Sequence, residues 1–91
     1  MIKLVHVIKV KPIKDYRVHV AFSDGLSGVR DLSDVIAEGG PMVEPLREKA
    51  FFRRVFVECG VLTWPNGFDL DAIQLHREMA DAGLLHRDAA E

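Results

Sequence analysis

Arg17-Val18-His19-Val20-Ala21-Phe22-Ser23-Asp24-Gly25-Leu26 alternates apolar side chains at 18, 20 and 22 with other residues, then breaks at Asp24-Gly25. A two-residue period is that of a strand with one buried face. Asp-Gly is favoured in a two-residue type I′ turn, which needs positive φ at both central positions. The spacing therefore predicts a strand over 16–22 that folds back into a second from Leu26 to Asp31. Upstream, residues 2–11 show the same Val- and Ile-rich near-alternation, and Pro12 to Asp15 form the expected connection. The first third reads as a three-stranded antiparallel meander.

Beyond it the signals change. Leu32–Ile36 suits a short helical turn started by Asp31 or Ser33 and stopped at Gly39-Gly40-Pro41. Pro45–Phe52 suits a second short helix with Pro45 near its first position. Residues 55–59 and 61–64 read as strands joined at Gly60. Trp64-Pro65-Asn66-Gly67-Phe68-Asp69-Leu70-Asp71 then packs an aromatic, a tight turn and a helix start into eight residues. Pro65 biases Trp64 toward extended backbone, and Pro65-Asn66-Gly67 supply the last three positions of the turn. Asp71 with Gln74 forms a capping-box pattern, Leu70 and Leu75 a hydrophobic staple, and Gly83 stands where a helix C-terminus favours it. The expected fold is α+β: a small antiparallel sheet, three-stranded meander plus two further strands, packed against one C-terminal helix and short helical turns. Residues 1–83 are expected to form one domain and 84–91 a frayed tail.

Ninety-one residues support a single core, and a composition 48% hydrophobic and 29% charged is that of a globular chain. Cys59 is the only cysteine, which excludes an intramolecular disulfide and a cysteine-rich zinc site and points to a reducing, cytoplasmic setting. Lys3, His6 and Lys9 interrupt the N-terminal apolar run, so it reads as a strand rather than a signal, and no membrane partner is expected. The net charge of −2 is unevenly spread: residues 1–17 carry five cations against Asp15, whereas 68–91 carry six acids against Arg77 and Arg87. An acidic total argues against a strong grip on nucleic acid, which needs several phosphates neutralised at once. The basic hairpin leaves room for a weak one.

With a four-residue first connection and a two-residue second, Val5, Val7, Val18, Val20, Phe22 and Val29 share the buried sheet face. The opposite face collects His6, Ile8, Arg17, His19 and Arg30, with Leu4 and Val10 among them, and is the candidate protein-contact surface. An apolar centre with a polar rim is what such a surface shows.

Taken in order, Phe22-x-Asp24-Gly25, Asp31-Leu32, Gly39-Gly40-Pro41, Pro45-Leu46, Phe51/Phe52 and Trp64-Pro65-Asn66-Gly67-x-Asp69-Leu70 resemble bacterial domain-of-unknown-function family 2442 over nearly the full length. The last motif is the most specific. The resemblance carries over no catalytic residues. It implies a setting, since members are often encoded beside a small protein of another unknown family, numbered 4160, in an arrangement similar to toxin–antitoxin pairs. Some members carry a fused helix-turn-helix; the twenty residues after Asp71 hold one helix, too little for a three-helix DNA reader.

The side chains weighed for chemistry have structural explanations. His6, His19, His76 and His86 with Asp69 and Asp71 show neither the i, i+4 nor the compact spacing of zinc ligands. An Asx turn and a helix cap account for Asp69 and Asp71. Cys59, in a Val-rich stretch beside Glu58, reads as buried packing rather than a nucleophile, and Trp64 as a core or rim aromatic rather than a base-stacking platform. Trp64, Pro65, Asn66, Gly67, Asp69 and Asp71 are thus expected to be structural. The chain reads as a non-enzymatic, cofactor-free module binding a small cognate protein or a second copy of itself. A dimeric DNA-associated regulator using the basic hairpin is the alternative, and an uncharacterised enzyme a more distant one.

Overall fold

A computed structural model describes residues 4–87. The meander forms: β1 (Val7–Pro12), β2 (Arg17–Phe22) and β3 (Leu26–Asp31) pair antiparallel in sequence order. The expected start at residue 2 moves to Val7, and residues 1–3 lie outside the described residues. After β3 come α1 (Ser33–Glu38), a 3₁₀ turn (Glu44–Arg47) and α2 (Lys49–Phe52). The helix expected over 45–52 is broken at Glu48, whose ψ of 116° is extended. At the start of α1, the Asp31 carboxylate accepts from the Ser33 N–H (2.9 Å) and hydroxyl (2.6 Å).

Two sheets, rather than one, follow from the second half. β4 (Phe56–Glu58), β5 (Val61–Thr63) and β6 (Asp69–Leu70) make a separate antiparallel sheet. Cys59 and Gly60 join β4 to β5 with φ of 52° and 78°, the two positive values a type I′ turn demands. Cys59 is therefore exposed at a turn, not buried in a strand. A Cβ on Gly60 would sit 2.7 Å from that of His6, and the Gly60 carbonyl accepts from the Val7 N–H (2.8 Å); this turn is where the sheets meet.

The helix α3 (Ala72–Asp81) begins as the sequence indicates, with the Asp71 carboxylate accepting from the Gln74 N–H at 2.9 Å. The reciprocal half of the capping box is replaced: the Gln74 amide donates to Glu78 (3.1 Å). At the other end Gly83 has φ 72°, and Leu84 N–H reaches back to the Met79 carbonyl (2.9 Å), a Schellman exit. Residues 84–87 of the expected frayed tail are instead ordered against the sheet. β7 (His86–Arg87) pairs with Ser27 and Leu26, giving the order β1-β2-β3-β7, while 88–91 lie outside the described residues.

Strand register departs from expectation at two points. Ser23, Asp24 and Gly25 all lie between β2 and β3, with the Gly25 N–H donating to the Phe22 carbonyl (3.1 Å) and φ 89° at Gly25. This is a three-residue loop ending in a positive-φ glycine, and the extra residue shifts β3 by one. His19 consequently faces Val29 and Val18 faces Arg30, so Val29 leaves the core face (39% exposed) and Arg30 joins it. In β1 the register changes between Val7 and Lys9, a bulge centred on Ile8. Val7 keeps the core face, now opposite Phe22, but beyond the bulge Val10 turns to the core side and Lys9 and Lys11 to the open side, opposite Ala21 and His19.

Candidate functional site

The signature segment is a hairpin loop between β5 and β6. Trp64 N–H donates to the Phe68 carbonyl and Gly67 N–H to the Trp64 carbonyl, both at 2.9 Å, with Gly67 at φ 93°. Asn66 braces the loop, donating to the Met42 carbonyl (2.9 Å) and accepting from Phe68 N–H (3.3 Å). Trp64 is 1% exposed, packs between Phe52 and Phe68, and donates through Nε1 to the Phe52 carbonyl (2.9 Å). Pro65 is exposed, and Asp69 pairs with Thr63 in a strand that the Asx-turn reading missed. With Asp71 capping α3, the polar and aromatic groups of this segment hold the second sheet and launch the helix.

The five residues of the expected contact face are scattered by the register changes. Arg17 and His19 lie on the open face of the four-stranded sheet, with Arg17 3.9 Å from Asp31. Ile8 projects from the bulge, 58% exposed. His6 packs against the Gly60 turn. Arg30 stands on the other side, its guanidinium forked onto Asp34 (3.1 and 3.2 Å) and reaching Glu78 (3.2 Å). Leu4 also leaves the face and lines a groove with Ile73, His76 and Arg77 of α3.

Arg30 forms one wall of a cavity of about 520 Å³ between α1 and α3, lined also by Asp34, Glu38, Asp69, Asp71 and Glu78. These carboxylates fall in two stretches of sequence, 34–38 and 69–78, that only the fold brings together. Among the described residues no group of three or more His, Cys, Asp and Glu side chains is arranged to hold a metal ion. His76 shares a 2.8 Å hydrogen bond with Asp24 and stacks edge-on against Phe22, tying α3 to the β2–β3 loop.

The electrostatics of these ties set an acid limit. Burial raises the Asp24 pKa, but the Leu26 N–H and His76 outweigh it and leave the carboxyl below its ordinary 3.8. Hydrogen bonds from the Ser33 hydroxyl and N–H lower Asp31, and hydrogen bonding to Arg30 lowers Asp34 against the effect of burial. A carboxyl with a depressed folded pKa stabilises above its unfolded value and loses that contribution as pH falls through the folded one. These carboxyls are therefore expected to make stability fall progressively as pH drops below about 4. Urea melts across that range measure it, and Asp34→Asn should make the fall shallower.

The family model described as "Protein of unknown function (DUF2442)" matches residues 7–80, from the first residue of β1 to the last turn of α3. The chain belongs to the DUF2442 family. No curated protein and no solved structure matches it. The DUF2442 match spans both sheets, α3 and the Trp64–Asp71 loop, while β7 lies beyond it. Among the described residues no helix is long and apolar enough to cross a membrane.

Proposed function

We propose that this DUF2442 chain is a non-enzymatic protein-binding module, similar to an antitoxin, that engages a small cognate protein through the open face of the four-stranded sheet. The observation that carries this reading is the composition of that face. Ile8 (58% exposed) and Val29 (39%) sit among Lys9, Lys11, Arg17 and His19 on a surface left uncovered by α3. Apolar side chains ringed by polar ones are the anatomy of a contact patch, and Ile8, displaced by a bulge, contributes nothing to the core.

The test is co-purification with the product of an adjacent short reading frame, comparing the wild type with Ile8→Asp. The variant is expected to lose the complex and keep the wild-type circular dichroism spectrum. An Ile8→Asp protein that holds its partner as tightly as the wild type would remove this face from consideration. Light scattering on the chain alone distinguishes a cognate partner from self-association.

A further inference from the structure

The open face is cationic as well as apolar, and folding gathers more positive charge beside it than sequence order suggests. Tyr16 Oη donates to the Arg47 carbonyl (2.5 Å), Lys49 Nζ lies 3.3 Å from an Asp15 carboxylate oxygen, and Arg53 donates to the Ile13 carbonyl (3.0 Å). These contacts dock residues 47–54 onto the tip of the β1–β2 hairpin. Segments 9–17 and 47–54 together carry eight cations and two acids, Asp15 and Glu48, whereas the rest of the chain carries four cations and twelve acids.

Part of this charge is already engaged: Arg17 with Asp31, Arg47 with Glu44 and Lys49 with Asp15. Among the described residues, Lys9 and Lys11 have no acidic partner within ion-pair distance. They stand two apart on one strand, facing the same way, which separates their stems by about 7 Å. That is also the separation of side chains i and i+2 in any extended peptide.

Two other occupants fit less well. A second copy meeting this face symmetrically would set one cationic surface against another, a like-charge contact. Nucleic acid binding to single strands draws on aromatic stacking, and the described side chains that the register puts on this face include no Phe, Tyr or Trp. Tyr16, at the hairpin tip, is packed edge-on against Phe52.

We propose that the open sheet face, taken as the protein-binding surface argued above, receives an extended acidic protein segment whose carboxylates at alternate positions meet Lys9 and Lys11. Ile8 and Val29 supply the apolar flank against which the same segment lies.

The experiment is fluorescence anisotropy at about 0.15 M salt, where exposed charges further apart than about 8 Å are screened. The probes are a labelled ten-residue peptide of alternating Glu and Val, a block peptide of the same composition, an alternating Lys-Val peptide, and single- and double-stranded ten-mer oligonucleotides. The alternating Glu-Val peptide is expected to bind about tenfold or more tightly than every other probe, a difference of about 1.4 kcal/mol. Lys9→Glu/Lys11→Glu should erase that preference, Lys9→Ala/Lys11→Ala should weaken it, and Arg77→Glu on α3 should leave it unchanged. Tighter binding of an oligonucleotide would overturn the proposal in favour of a nucleic-acid surface, and equal binding of the block peptide would overturn the alternate-position match. Should no peptide bind while Ile8→Asp still abolishes the cognate complex, the protein-binding reading stands and the acidic-segment inference falls.

Discussion

Trp64→Ala is expected to lower the unfolding free energy by about 3–5 kcal/mol, the range for deleting a fully buried large aromatic. The indole is 1% exposed, with ring centroids 5.8 Å from Phe52 and 5.7 Å from Phe68, so truncation opens a cavity between α2 and the β5–β6 loop. It also strips the Phe52 carbonyl of its shorter hydrogen bond, from Nε1 at 2.9 Å, and leaves it the Val55 N–H at 3.3 Å. Trp64→Phe separates the two effects: most of the apolar contact remains, and the lost Nε1 hydrogen bond should cost about 0.5–1.5 kcal/mol by itself. Denaturant melts of both variants give the numbers. A loss under about 1 kcal/mol for Trp64→Ala is the size seen at surface positions, and would mean that the indole does not fill the core.

The turn after Trp64 was legible because its cues are local: a proline, a turn dipeptide, then a cap. The same holds for Asp71, whose carboxylate accepts from Gln74, and for Gly83, whose positive φ ends α3. Strand faces were harder, because a face flips with a single residue and loop length is not fixed by a dipeptide. Asp24-Gly25 indicated a turn correctly, yet Ser23 joined the loop, its N–H donating to the His6 carbonyl (2.8 Å) seventeen residues away. The bulge at Ile8 has the same origin: Val7 N–H is drawn to Gly60 of the other sheet, an attachment that no reading of β1 alone reveals. Arg30 appeared to be a surface charge by type. Its burial is tolerated because Asp34, four residues on, and Glu78, forty-eight residues on, meet the guanidinium together, and only the first of those partners is local. Cys59 illustrates the opposite case: Gly60 carried the signal for a break between two short apolar runs, but the valines before it favoured extending the first strand through Cys59. The acidic cavity between α1 and α3 had no sequence signature, since its carboxylates come from α1, from β6 and from the start and body of α3, stretches that only tertiary packing joins.

Gly28→Ala is expected to cost about 1–3 kcal/mol, the range for forcing an extra carbon into a filled site. Backbone strain is not the cause, because Gly28 lies outside the left-handed region that the other glycines occupy. What it lacks is room. A Cβ there would stand 2.1 Å from the carbonyl oxygen of Leu84 and 3.3 Å from Met79 Cε. The methionine can turn aside; the carbonyl belongs to the chain leaving the Schellman exit of α3 and cannot move without carrying residues 84–87 with it. Its displacement should peel β7 from β3, exposing the Leu26 and Ser27 pairing edge and loosening half-buried Leu85. The loss should be local as well as global: amide hydrogen exchange at 84–87 should rise toward that of a free chain, while β1–β2 protection falls only by the overall destabilisation. Unchanged exchange at 84–87 together with an unchanged melt would show that the tail does not cross β3 at Gly28. A two-residue strand is a weak element by itself, so its hold on the sheet depends on this close crossing, and with it the cover over the outer edge of β3.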